Sequence, residues 1–207
     1  MRVIKVERCK KHLCRIFFDN GDELLLDNDV VSEECIREDT VITERQAEEL
    51  KFKSDYVRAK SRALWYLDRA ALTEKALFDK LIKAGFKDTA CAAVVARFKE
   101  LGIIDDNRFA ENFAERCVSN NISRREAFYK MVQKGVGRDL ANDILNESNF
   151  DEEAQIAELL EKKYKNKLLA ENGTQKVYAA LIRKGFSFSA VKNALKKYSE
   201  EIEYCEE

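Results

Sequence analysis

The chain has 207 residues, 45% of them apolar and 36% charged, with 7 Gly and no Pro, a composition that suits helices and excludes a disulfide-stapled miniprotein, a Pro- or Gly-rich disordered chain and a loop-rich β sandwich. Lys plus Arg is 37 against 38 Asp plus Glu, for a net charge of −1, so the whole molecule has no global electrostatic footprint of a nucleic-acid binder. Charge is instead segregated: residues 59–104 and 151–198 each carry +4, whereas 1–58 carry −3, 105–150 carry −1 and 199–207 carry −5.

Residues 2–26 alternate in polarity and are rich in Val, Ile, Phe and Leu. Asp19-Asn20-Gly21 is a hairpin turn signal between Leu13–Phe18 and Glu23–Leu26, which predicts a small three-stranded piece. Helices are predicted from Asn28 to about Glu38 and from Glu44 to Tyr56, the second capped by Thr43. A lone meander of this size has little core, so this module is expected to fold onto the first of the helical units that begin at residue 57.

From residue 57 the chain repeats itself. Lys80-Leu81-Ile82-Lys83-Ala84-Gly85-Phe86, Lys130-Met131-Val132-Gln133-Lys134-Gly135-Val136 and Ala180-Leu181-Ile182-Arg183-Lys184-Gly185-Phe186 succeed one another at a period of 50 residues. Apolar pairs at 77/78 and 81/82 recur at 127/128 and 131/132, then at 177/178 and 181/182, as the stripe of an amphipathic helix. Gly85, Gly135 and Gly185 stand where a helix ending needs a left-handed residue. The apolar residue after each would pack on Leu81, Met131 or Leu181, as in a Schellman ending.

The starts match the stops. Thr73 and Ser123 are predicted caps, Ser123-Arg124-Arg125-Glu126 reads as a capping box, and Gly173-Thr174 is the weaker third equivalent. A second helix comes after each glycine, with stripes Ala90/Val94/Val95/Phe98, Leu140/Ile144/Leu145 and Ala190/Ala194/Leu195/Tyr198. A further helix precedes each cap, as Ala63/Leu64/Leu67, Phe109/Ala110/Phe113/Cys117 and Ile156/Ala157/Leu160/Tyr164, with about three extra loop residues in the third copy.

The expected architecture is therefore all-α. It is an elongated tandem array of three three-helix repeats, at 57–104, 105–150 and 151–198, with a small N-terminal β-hairpin/meander module at 1–56 and an acidic tail at 199–207.

Signatures of catalysis are missing: there is no G-x-x-x-x-G-K-[ST], G-x-S-x-G or H-E-x-x-H pattern, and no enzyme, metal or cofactor is expected. Cys9, His12 and Cys14 cluster across a turn without a fourth ligand, and a reduced hairpin explains them. Gly135-Val136-Gly137 comes after a helix rather than a strand and reads as a cap, not a dinucleotide loop. Asp105-Asp106 and Asp151-Glu152-Glu153 fall at helix starts, where acids complement the helix dipole. The aromatics Trp65, Tyr66, Phe78, Phe86, Phe98, Phe109, Phe113 and Phe128 read mostly as core. Six cysteines without a C-x-x-C pair or a secretory segment suggest reduced thiols in a cytoplasm, and the longest strictly apolar run, Ala90–Ala96, is too short to span a membrane.

The informative remainder is basic: Arg62, Lys80, Lys83 and Lys87 in the first unit, Arg124, Arg125, Lys130, Lys134 and Arg138 in the second, and Arg183 and Lys184 in the third. Several recur on the helix that ends in glycine. A repeated basic face can meet phosphates or an acidic protein surface.

Ala63-Leu64-Trp65-Tyr66-Leu67, Thr73-Glu74-Lys75 ahead of Leu81-Ile82-Lys83-Ala84-Gly85-Phe86, and above all Gly102-Ile103-Ile104-Asp105-Asp106-Asn107-Arg108-Phe109-Ala110 resemble the RecX family of bacterial RecA regulators. The resemblance covers 57–198, with 1–56 similar to an N-terminal extension found in part of the family. Ala84 departs from the basic residue usual before the first glycine. The resemblance implies a non-enzymatic modulator that docks on RecA and on RecA filaments on single-stranded DNA, limiting filament growth, ATP hydrolysis, strand exchange and repressor cleavage; a repeat array with a mixed-charge surface needs no second copy to fold, so a monomer is expected. The resemblance supplies no catalytic residues, and leaves direct DNA binding weak. The competing expectation is a free-standing helical DNA-binding protein, since three-helix units with short turns resemble helix-turn-helix modules.

Overall fold

A computed structural model describes every residue except Lys11, Glu206 and Glu207, with the backbone alone described for 201–205. The acidic side chains of the tail beyond Glu200 and the Cys205 thiol therefore lie outside the described residues, whereas His12 of the Cys9/His12/Cys14 cluster is exposed in the turn after β1. The chain forms two compact units, Met1–Ile104 and Asp105–Glu207.

The first unit opens with an antiparallel meander, β1 (Val3–Cys9), β2 (Leu13–Phe18) and β3 (Glu23–Asp27), in the order β1-β2-β3. Phe17 pairs with Glu23 and Cys14 with Leu26, and Gly21 supplies the positive φ (+86°) that the turn demands. Alternation places Cys14, Ile16, Phe18, Leu24 and Leu26 on one buried face. They pack with Val30 and Val31 of a short helix α1 (Asn28–Glu33) and with Ala47 and Leu50 of α2 (Glu44–Leu67). The predicted helix to Glu38 stops earlier because Cys35 and Asp39 take positive φ (51° and 69°), which turns the chain back toward β1, where Val3 N donates to Thr40 O.

The helices predicted on either side of residue 56 are one. α2 runs 24 residues, roughly 36 Å at the helical rise, with a complete capping box between Thr43 and Gln46 and neither Gly nor Pro to stop it. Its first half lies under the sheet, where Ser54 Oγ accepts from Asp27 N at 2.7 Å. Its second half buries Ala59 and Ala63 in the next core, with α3 (Glu74–Lys83) and α4 (Asp88–Glu100). Thr73 Oγ1 accepts from Ala76 N at 3.1 Å. Leu77, Leu81, Val94 and Phe98 fill this core, whereas Ile82 and Leu64 face outward.

The second unit holds α5 (Asp106–Ser119), α6 (Arg124–Gln133) and α7 (Arg138–Glu147) around Ala110, Cys117, Ala127, Met131 and Leu145. α8 (Glu152–Leu159), α10 (Gly173–Arg183) and α11 (Phe188–Cys205) surround Ile156, Leu160, Val177, Leu181 and Val191. Asp105 and Asp151 cap α5 and α8, accepting from Asn107 N and Arg108 N and from Ala154 N respectively.

All three glycine endings have the same hydrogen bonds. Phe86 N, Val136 N and Phe186 N reach Leu81 O, Met131 O and Leu181 O at 3.3, 3.1 and 3.3 Å, while Gly85, Gly135 and Gly185 (φ +90°, +98° and +91°) donate to Ile82 O, Val132 O and Ile182 O. Gly102 and Asn121 make two further endings of this kind, through Ile103 N to Phe98 O and Ile122 N to Cys117 O.

Three local expectations are corrected. Ser123 caps α6 by accepting from Glu126 N at 3.2 Å, but Glu126 does not reach back, because its carboxylate is engaged by Lys130 at 2.7 Å. Gly173-Thr174 is not a cap: Asn172 precedes α10 in the left-handed region (φ 55°), without a side-chain cap. A Cβ on Gly173 would sit 2.2 Å from Lys167 O, so that position needs glycine for close approach. The extra length of the third unit is not all loop, since α8 continues through a π turn (Leu160–Tyr164) into α9 (Lys165–Leu168). Ahead of that turn Gln155 is buried beside Ile156 and Ala157 is exposed, so Ala157 leaves the predicted apolar stripe.

Candidate partner-binding surface

Lys80 and Lys83 in α3, Lys130 in α6 and Arg183 in α10 occupy the last helical turn, with Lys134 and Lys184 at the next position, where cations complement the negative end of a helix. The helix ends thus account for part of the recurrence. What remains is where the side chains stand and what they touch.

In the first unit, Arg62 and Lys80 converge on one ring. The Arg62 guanidinium lies 5.8 Å from the Tyr66 centroid and 5.2 Å from that of Trp65, and Lys80 Nζ lies 5.2 Å from Tyr66. Neither Arg62 nor Lys80 makes an ion pair among the described residues, so aromatic faces rather than carboxylates hold both. Lys83 and Lys87 are exposed.

The second unit divides its cations between two recesses. Lys130 and Lys134 line a cleft of about 560 Å³ with Arg116 and Phe113, and Lys134 and Arg116 approach the Phe113 ring at 5.6 and 5.9 Å. Arg124 and Arg125, at the other end of α6, line a smaller cleft of about 320 Å³ with Phe128 and Tyr129. Arg124 hydrogen-bonds Asn146, and Arg138 opens α7 in an exposed position. Arg183 is exposed with its Nε on Ala179 O at 3.3 Å. Lys184 is half-buried, and its carbonyl accepts from Ser123 Oγ at 2.6 Å.

Sequence reasoning missed Arg58, Arg69 and Arg116, and it assigned Trp65 to the core although the indole is 45% exposed. The signal was present. Arg58, Arg62, Trp65 and Arg69 are spaced by 4, 3 and 4 residues, which is one face of a helix. Arg69, just beyond α2, bonds Trp65 O at 2.8 Å, and its guanidinium lies 3.6 Å from the indole centroid. Phe98 and Phe109 are buried as expected, and Phe78, Phe86, Phe113 and Phe128 sit partly buried around their cores.

Burial pushes the Cys14, Cys91 and Cys117 thiols up, and no group of three or more His, Cys, Asp or Glu able to hold a metal occurs among the described residues. No helix there is long and apolar enough to cross a membrane.

These features define a protein of three-helix domains, joined to a small antiparallel sheet by a shared helix and presenting cations at the helix ends. Two models of the same family match, described as the first three-helix domain of RecX, over residues 59–98, and the third, over 151–195. These are the second half of α2 through α4 and the stretch from α8 into α11. The Regulatory protein RecX of Streptococcus pneumoniae serotype 19F (strain G54) is 31% identical over 208 residues, covering 98% of this chain and 79% of that protein; that of strain R6 is 30% identical with the same coverage. A crystal structure of regulatory protein RecX superposes with a TM-score of 0.68 at 20% identity, covering 94% of this chain and 98% of that one. The crystal structure of RecX from Lactobacillus salivarius gives 0.62 at 20% identity, over 69% and 96%. The chain belongs to the RecX family.

Proposed function

We propose that this protein binds RecA and RecA filaments on single-stranded DNA in the cytoplasm and restrains their ATPase, recombinase and coprotease activities in recombination, DNA repair and the SOS response. It acts as a monomer, by binding rather than by chemistry. The observation that carries this reading is membership of a family of named regulatory proteins along nearly the whole chain, 98% of it in the pneumococcal comparison. The surface supports it: each unit presents cations at glycine-terminated helix ends, against an overall charge of −1, an arrangement suited to one acidic partner surface rather than to duplex DNA at large. An effect on ATP turnover arises from unequal affinity for active and inactive filament states, with no residue touching the nucleotide.

The test is single-stranded-DNA-dependent ATP hydrolysis by the RecA of the same organism, titrated with this protein from well below one copy per RecA. Inhibition at substoichiometric amounts is expected. No effect up to equimolar amounts, with folded protein and active RecA, overturns the reading. A protein directed at DNA alone through several phosphates would instead lose about 10³- to 10⁵-fold in DNA affinity between 50 and 200 mM salt.

A further inference from the structure

The N-terminal sheet module and the first three-helix core meet in a cleft of about 490 Å³ that none of the helix-end lysines enters. Its walls come from both modules: His12 from the β1–β2 turn, Asp27 and Asp29 from the β3–α1 junction, Arg58, Arg62 and Trp65 from α2, and Phe86, the residue after the first glycine ending. Arg58 stands 5.7 Å from the Phe86 centroid, and Trp65 is held by Arg62 at 5.2 Å and Arg69 at 3.6 Å. We propose that this cleft takes one unpaired base of single-stranded DNA together with its adjoining phosphate.

Three observations select that ligand. The first is size, since a volume of a few hundred Å³ suits a small flat molecule and admits no duplex. The second is the pairing of flat π surfaces with arginines: Arg62 makes no ion pair among the described residues, and Arg58 makes one long pair, with Asp55 at 3.7 Å. Stacking leaves a guanidinium's in-plane N–H groups available, so Arg62 can bind a phosphate while its plane and the Trp65 ring offer a platform to a base. The third is Asp27, which is only 7% exposed. Its Oδ1 accepts from Asp29 N at 3.0 Å, and no hydrogen bond from the described residues engages Oδ2. A buried carboxylate in the wall repels any anion, carboxylate or phosphate, so an anionic ligand fits only where its charge meets the arginines and it also brings an N–H donor to Asp27. It suits a ligand that brings an anion and an N–H donor together, as a cytosine does with its phosphate and its exocyclic amino group. The pairing of Asp27 with Arg62 and the Trp65 ring thus favours a nucleotide unit, which carries an anion, an N–H donor and a flat ring together, over a purely anionic group.

Binding of this kind needs no RecA and so goes beyond the proposed function. It also gives the N-terminal module a role, since one wall of the cleft is built from its residues.

Trp65 is the only tryptophan in the chain, so emission excited beyond the absorption of the seven tyrosines reports this site alone. The full-length protein, without RecA, is titrated with a short oligodeoxycytidine while Trp65 emission is recorded. Saturable quenching is expected, weaker with oligodeoxythymidine, which lacks the amino group, and absent with a duplex of equal length. Arg62→Ala is expected to lower the slope of log affinity against log salt by about 0.7, the value of one phosphate contact on a single strand. Trp65→Ala, measured by anisotropy of a labelled oligonucleotide and checked for folding by circular dichroism, is expected to weaken binding about 5- to 100-fold. The proposal is overturned by no quenching with any single strand, by equal quenching with duplex, or by an Arg62→Ala protein that binds as the parent does. Free deoxycytidine monophosphate saturating the site at the same concentration as the oligonucleotide would also overturn it. Loss of RecA inhibition with quenching intact, or the reverse, separates this site from the proposed function.

Discussion

The hydroxyl of Ser123 donates to the carbonyl oxygen of Lys184 at 2.6 Å while it accepts from Glu126 N at 3.2 Å. One side chain thereby closes the first turn of α6 and satisfies a last-turn carbonyl of α10, 61 residues away. Gly185 lies against it: a Cβ there would come within 2.8 Å of Ser123 Oγ and 3.2 Å of Arg125 Cβ. The third glycine therefore serves two needs, a positive φ and room for another repeat's cap. Beside it, Gln155 Nε2 donates to Val118 O and Ile122 O at 3.3 and 3.4 Å, so carbonyls at the end of α5 are also closed from the third domain.

This contact can be measured by a double-mutant cycle. Ser123→Ala removes a cap and leaves Lys184 O short of a donor, for about 1–3 kcal/mol. Gly185→Ala costs at least about 1–2 kcal/mol through its left-handed backbone, with the clash added. In the double variant the 2.8 Å clash with Ser123 Oγ is gone and only the 3.2 Å approach to Arg125 Cβ remains, so urea denaturation should show a loss smaller than the sum by about 0.5–2 kcal/mol. Simple additivity would mean the two residues do not touch in solution.

Gly135 and Gly137 should respond in opposite directions. Gly135 sits at φ +98°, so Gly135→Val is expected to destabilise by roughly 1–2 kcal/mol. Gly137 precedes α7 at φ −59° with open space around its Cα and no side-chain cap, so Gly137→Ser should raise the melting temperature by supplying one. An unchanged melting temperature for Gly135→Val would put the left-handed ending elsewhere.

Charge reversal at the helix ends tests the RecA-facing surface. Lys80→Glu with Lys83→Glu, and separately Lys130→Glu with Lys134→Glu, are expected to weaken inhibition of RecA ATPase with circular dichroism unchanged. The first pair is the cleaner probe. Lys130 is bound to Glu126 at 2.7 Å, and its reversal adds an i, i+4 repulsion of about 0.3–0.5 kcal/mol. Full inhibition by both folded variants would remove these residues from the interface.

Glu153 makes acid stability sensitive to one cross-helix pair. Its carboxylate accepts from Lys197 Nζ at 2.6 Å and Asn193 Nδ2 at 3.0 Å, and these bonds hold its carboxyl below the usual glutamate value. A carboxyl lowered in the folded state stabilises above its unfolded pKa of about 4.3, and that contribution is lost as pH falls through the lower folded value. Glu153→Gln should therefore melt below the parent at pH 6 and converge with it in acid. The gap should be small and should shrink with salt, because the pair is exposed. A constant gap across the range would show that the ion pair contributes nothing.

Thiol reactivity should sort by burial. Cys35 is exposed and Cys9 half-buried, whereas Cys14, Cys91 and Cys117 are buried with thiols pushed up, which disfavours the reactive thiolate. Among the described thiols, alkylation of native protein, read by peptide mass spectrometry, should modify Cys35 first and the three buried ones only on unfolding. Early modification of Cys117 would mean that the second core opens.

The glycine endings were legible because each is a local event. Whether Gly85, Gly135 or Gly185 takes a positive φ, and which carbonyl the next residue reaches, is settled within one turn of helix. The apolar stripe then decides that Leu81, Met131 and Leu181 face inward. The β hairpin at Gly21 was legible on the same grounds, as was the use of Asp105 and Asp151 as caps. Trp65 was misassigned because an aromatic beside Ala63 and Leu67 has the composition of a core helix. Only the direction of its Cβ, and the arginines one turn to either side, keep it at the surface.

By itself, the amino-acid sequence determined the repeat, its helix stops and starts, and the blocks of charge, since these depend on side chains within a few residues of one another. Tertiary structure decided that α2 runs unbroken from the sheet into the first three-helix core and that Ser123 serves Lys184. It also set Asp27 opposite Arg58, Arg62 and Trp65 in one cleft. Those outcomes join positions about 30 to 60 residues apart, and they rest on which apolar faces find each other, a choice that no local pattern encodes.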